Sequence, residues 1–140
     1  MSIVNSIMGQ AANQYVAPTY VEDLFSTYLY DGTGSAQTIT NGIDLSGEGG
    51  LVWSKARSDT YPNAFFDTVR GALKYLDSAS TSAQVTGTNN LTAFNSNGFT
   101  LGADSNWVIN KSGSEYCTWT FRKAPKFFDI VTYKGNGSIQ

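Results

Sequence analysis

The sequence has no histidine and only one cysteine, Cys117. A lone thiol cannot close an internal disulfide, and without histidine the common zinc ligand sets are missing, so no metal site and no cofactor are expected. The same lack removes the usual general base for a serine or cysteine nucleophile. Charge is scarce too: 14% of the residues are charged, against about 25% in ordinary globular domains. Nine scattered Lys and Arg against eleven Asp and Glu give a net charge of -2. That is too little clustered positive charge to track a phosphate backbone, so nucleic acid is not an expected partner. Only Glu22, Glu48 and Glu115 represent glutamate, and none has a second carboxylate two residues away, as a glycosidase pair on one strand would need. No catalytic residues are assigned and no enzymatic activity is expected. No apolar run approaches the roughly 20 residues of a membrane helix, and the first residues lack the basic start and apolar stretch of a secretory leader. The expectation is synthesis in a cytoplasm, with no membrane insertion.

What is abundant is apolar and aromatic surface, 41% and 14% of residues, with glycine at fourteen positions. A chain of 140 residues can bury a core without staples. Residues 1–23 read as an arm: Ile3, Val4, Ile7 and Met8 recur at helical spacing and Tyr15 follows. Two turns of isolated helix are marginal in water, so the arm either orders against a neighbouring surface or frays. From Leu24 onward the period changes to two. Segments 24–30, 50–56, 116–122 and 127–133 are rich in aromatic and β-branched residues and are expected to be strands. In 116–121, Cys117, Trp119 and Phe121 share one face and Tyr116, Thr118 and Thr120 the other, the alternation of a strand with one side in a core. Asp31-Gly32, Asn41-Gly42, Gly49-Gly50, Asn97-Gly98 and Gly135-Asn136-Gly137 supply turn residues between such runs. Residues 67–76 read as a helical turn or broad loop and 78–90 as an exposed loop. The fold class expected for 24–132 is mainly β, an antiparallel sandwich or jelly roll.

Tyr30-Asp31-Gly32-Thr33-Gly34-Ser35-Ala36-Gln37 and Tyr133-Lys134-Gly135-Asn136-Gly137-Ser138-Ile139-Gln140 both spell Tyr-x-Gly-x-Gly-Ser-x-Gln. Their separation is of domain size rather than solenoid size. Residues 133–140 therefore read as the start of a second module, a linker or a vestige.

Six segments carry a family resemblance. They are Phe25-Ser26-Thr27-Tyr28-Leu29-Tyr30, Asn41-Gly42-Ile43-Asp44-Leu45, Gly49-Gly50-Leu51-Val52-Trp53-Ser54-Lys55-Ala56-Arg57, Phe66-Asp67-Thr68-Val69-Arg70-Gly71, Phe94-Asn95-Ser96-Asn97-Gly98-Phe99 and 119–129. In this order, across residues 25–140, they resemble a module recurring in tail-fibre-like and other virion-associated proteins of tailed phages, many of them marine. The resemblance implies a concanavalin-like or laminin-G-like sandwich, followed by further modules. It implies a structural protein of the phage particle, at the tail or capsid surface, assembled in the host cytoplasm. In that setting the arm (Ile3, Val4, Ile7, Met8, Tyr15) would grip another tail or capsid protein, and the sandwich would face outward as the N-terminal part of a tail fibre. Homo-oligomerisation, first as a trimer, follows from the symmetry of such appendages. A head-decorating protein and a carbohydrate-binding module of a larger surface protein are the alternatives.

For a host-surface glycan, flat rings supply stacking area and loop amides supply hydrogen bonds. Tyr61, beside Pro62 and Asn63, and Trp107 with Asn106, after Asp104-Ser105, are the candidates. Trp53, inside an apolar run, is expected in the core. Asp104 and Asn106 are too few oxygen donors for calcium. Asp67 and Arg70 are expected to pair and fix a turn, and Arg122, Lys123 and Lys126 form a small basic patch.

Overall fold

The computed structural model describes residues 17–104 and 106–139. The arm residues Ile3, Val4, Ile7, Met8 and Tyr15 lie outside the described residues. Among the described residues one turn of helix, α1 (Val21–Leu24), leads into nine strands. They are β1 (Phe25–Asp31), β2 (Gln37–Thr40), β3 (Gly50–Ala56), β4 (Ala64–Asp67), β5 (Lys74–Asp77), β6 (Val85–Thr86), β7 (Leu91–Asn95), β8 (Gly98–Leu101) and β9 (Glu115–Arg122). A six-stranded sheet runs β1-β9-β3-β4-β5-β6 and a three-stranded sheet runs β2-β8-β7. Every ladder is antiparallel. The expected mainly β, antiparallel sandwich is the fold that forms.

The core lies between the sheets because alternate residues of each strand point there. Along β3, Val52, Ser54 and Ala56 are buried while Leu51, Trp53 and Lys55 are only partly so. Val52, Ala64, Phe66 and Tyr75 of the large sheet join Ile39, Leu91, Phe99 and Leu101 of the small one. The loop residues Ile43, Leu45, Val108 and Ile109 complete the cluster. Each fully buried Phe, Leu or Ile contributes about 1.5–3 kcal/mol. Within the small sheet, β2 and β8 approach closely enough that a side-chain-free position matters. Gly98 opens β8 at φ 146°, and a Cβ there would strike the Ile39 carbonyl of β2.

On β9 the buried side is the polar one. Tyr116, Thr118 and Thr120 are wholly inaccessible. The hydroxyls survive burial because they are hydrogen-bonded: Thr118 Oγ1 donates to the Tyr28 carbonyl at 3.4 Å, and Thr120 Oγ1 accepts from Asn41 Nδ2 at 2.9 Å.

Three expectations are corrected. Residues 127–133 form no strand. Phe128 makes a single bridge to Ala124, while Val131 and Tyr133 are 77% and 80% exposed and pair with no strand of either sheet. Residues 67–76 divide into a turn and the strand β5, which closes onto β4. Trp53 is not in the core: it sits on the outer face of the six-stranded sheet, opposite Trp119.

Candidate functional site

Two clusters of aromatic side chains merit a functional reading. The first assembles at one end of the sandwich from loops distant in sequence. Tyr61 lies in the β3–β4 loop and Trp107 in the long β8–β9 loop, and their rings stack with centroids 5.8 Å apart. Trp107 also meets the Tyr75 ring edge-on at 6.4 Å. Tyrosine hydroxyls fix the turn that carries Trp107. Tyr116 donates to the Trp107 carbonyl at 3.0 Å and accepts from the Lys111 N–H at 3.0 Å, while Tyr30, stacked on Tyr116 at 5.4 Å, donates to the Ile109 carbonyl at 2.7 Å. Burial pushes the Tyr30 hydroxyl well above its ordinary pKa and raises that of Tyr116, so both remain protonated donors. Lys111 Nζ donates to the Tyr61 hydroxyl at 2.7 Å, a bond that raises the lysine pKa.

Beneath this cluster, Asp104 is 4% exposed. Its Oδ1 accepts the Asn106 N–H at 2.9 Å, and its Oδ2 has no hydrogen-bond partner among the described residues. Desolvation raises its pKa, and the hydrogen bonds from Asn106 partly oppose the rise. The expected trio is thus gathered unequally: Tyr61 and Trp107 meet, and Asn106 is exposed beside them with its N–H turned to Asp104. The ring face that each aromatic spends on the other is closed to a sugar. Among the described residues no three acidic, cysteine or histidine side chains cluster as metal ligands.

Most of the remaining sequence candidates form ion pairs. Asp67, 3% exposed, pairs with the Arg70 guanidinium and accepts the Arg70 N–H at 2.8 Å. The guanidinium also donates to the Phe65 carbonyl at 3.1 Å, so the pair locks the turn after β4. The basic patch is partly neutralised, Arg122 by Glu48 at 3.1 Å and Lys123 by Asp129 at 2.9 Å. Lys123, Lys126, Phe127 and Phe128 help line an open groove of about 630 Å³.

The second cluster covers the outer face of the six-stranded sheet. Register places Phe65, Trp53, Trp119 and Thr27 in one row and Leu51, Phe121 and Phe25 in the next. Ring centroids are 5.0 Å apart for Trp53 and Trp119, 5.3 Å for Trp53 and Phe65, and 4.9 Å for Phe25 and Phe121. Phe128 folds back onto Phe121 at 5.3 Å, and Trp53 Nε1 donates to Asn63 Oδ1 at 2.9 Å. These rings are half-buried. The legible signal was apolarity on both parities of β3, together with large rings at the odd positions of β9.

A two-sheet antiparallel sandwich with a second, outward aromatic layer is the class of domain that fold and site define. More narrowly, residues 21–140 match the family model described as a domain of unknown function, DUF7483, and the chain belongs to that family. No curated protein and no solved structure matches the chain.

Proposed function

We propose that this chain is a non-catalytic structural and adhesion module of a bacteriophage particle, part of a tail fibre or tail-associated protein on the particle surface. The reading draws on the six-segment resemblance across residues 25–140. The observation that carries it in physical terms is the outer aromatic layer of Phe25, Trp53, Phe65, Trp119 and Phe121. Half-buried apolar surface on the side away from the core has a cost in water, and partners that cover it recover that free energy. Neighbouring tail or capsid proteins are the partners this surface would meet. Co-purification of the full chain with the tail or capsid proteins of its particle tests the reading. Binding is expected to fall at least tenfold in Trp119→Lys, with the circular dichroism spectrum unchanged. Retention equal to the parent would refute the assignment, as would polysaccharide cleavage by the pure protein.

A carbohydrate-binding role is the second reading, favoured by the meeting of Tyr61 with Trp107. Glycan-array binding that disappears in Tyr61→Ala and Trp107→Ala would support it over the first. Absence of any glycan signal would dismiss it.

A further inference from the structure

We propose that β1 is a self-complementary edge through which two copies of this chain join into one continuous sheet. Among the described residues β1 ends the six-stranded sheet, paired on one side only, to β9. Gly32 N–H bonds the Ser114 carbonyl at 2.8 Å, and Asp31 pairs with Glu115. Antiparallel ladders alternate residues that bond the partner with residues that bond away from it. Even-numbered residues of β1 therefore bond β9, and Phe25, Thr27, Leu29 and Asp31 aim their N–H and C=O groups at the free edge. Two of those eight groups are already used. Phe25 N–H is taken by the Val21 carbonyl, and the Asp31 carbonyl accepts Gln37 Nε2 at 3.1 Å.

A two-fold axis at Tyr28 sets Thr27 against Leu29 of the second copy and Phe25 against its Asp31. Thr27 and Leu29 then exchange both of their bonds on each side of the axis. Each end pair forms one, from the Asp31 N–H to the Phe25 carbonyl. The bond that an end pair lacks is the one whose donor and acceptor are both satisfied within each copy. Six hydrogen bonds form, and none of the six open groups among the described residues stays unmatched.

Side chains fit the same register. The only charge on the strand, Asp31, faces Phe25 rather than its own copy, and Leu29, 57% exposed, comes to lie against Thr27. Ser26, Tyr28 and Tyr30 fall on the core side in both copies, so the aromatic outer faces also become continuous. Residues 25–31 contain no lysine or proline of the kind that blunts natural edges. A seam of this kind closes as an isologous dimer, not as the trimer expected from the sequence. It stands apart from the virion reading and survives that reading's failure.

Sedimentation equilibrium of the full chain tests the seam, with amide hydrogen exchange alongside. The expected result is a concentration-dependent mass twice the 15.1 kDa of one chain, with the Thr27, Leu29 and Asp31 amides losing protection on dilution. Thr27→Pro removes only an outward N–H, and Leu29→Lys places charge on the seam. Each is expected to return the monomer mass with the parent's circular dichroism. Should Thr27→Pro unfold, Leu29→Lys alone decides. A monomer at every concentration, a trimer, or a dimer indifferent to Leu29→Lys would overturn the proposal.

Discussion

The Tyr30 hydroxyl donates to the Ile109 carbonyl at 2.7 Å, across 79 positions of sequence. It ties the end of β1 to the loop that carries Trp107. Tyr30→Phe keeps the ring and removes the donor, leaving a buried carbonyl unpaired at about 1–3 kcal/mol. The thermal midpoint should fall by several degrees, and a midpoint within about 1 °C of the parent would show that the bond carries no stability.

Arg70 and Asp67 form the most buried ion pair among the described residues, their side chains 12% and 4% exposed. Truncating one partner of such a pair strands the other charge, at about 3–5 kcal/mol. Urea denaturation should show a loss of this size in Arg70→Ala. Asp67→Ala with Arg70→Ala should lose less, because no lone charge is left. Equal losses would argue that the guanidinium acts mainly through the Phe65 carbonyl.

Asp104 makes stability depend on pH. Its folded pKa is raised above the ordinary 3.8 because burial disfavours the carboxylate. The folded chain therefore holds this proton more tightly than the unfolded chain. The stabilisation is full below the unfolded pKa and is lost as pH rises through the folded one. Asp104→Asn should flatten the stability profile just above pH 3.8. Identical slopes in the two proteins, measured by denaturant midpoints, would contradict the assignment.

Cys117, 8% exposed on the outer side of β9, has its thiol pushed up in pKa by burial, with Arg57 opposing. Thiolate is the reactive form. Labelling by a thiol reagent should therefore be slow in the native protein and should accelerate with denaturant in step with unfolding. Rapid stoichiometric labelling without denaturant would contradict this burial.

Period-two alternation made the strands of the central sheet legible, and β3 and β9 sit where that pattern placed them. Which side of β9 turns inward was not legible. Hydrophobicity alone assigns Trp119 and Phe121 to the core, whereas the sheets meet over Thr118 and Thr120, whose hydroxyls find partners on Tyr28 and Asn41. Residues 127–133 have strand composition but join no sheet, and composition carries no information about which edges a segment pairs with. The meeting of Tyr61 and Trp107 depends on loops from two different strand pairs, a long-range fact that local pattern cannot hold. Asp67 and Arg70 were legible because a contact three residues apart is decided locally.

None of the three tryptophans, Trp53, Trp107 and Trp119, is fully buried. Indole emission therefore samples the rim and the outward sheet rather than the sealed interior, where Tyr116, Phe66 and Phe99 reside. A blue shift on mixing with a candidate partner would report capture at those faces while the fold stays intact. Wavelength thus becomes a gauge of docking, readable without any attached dye.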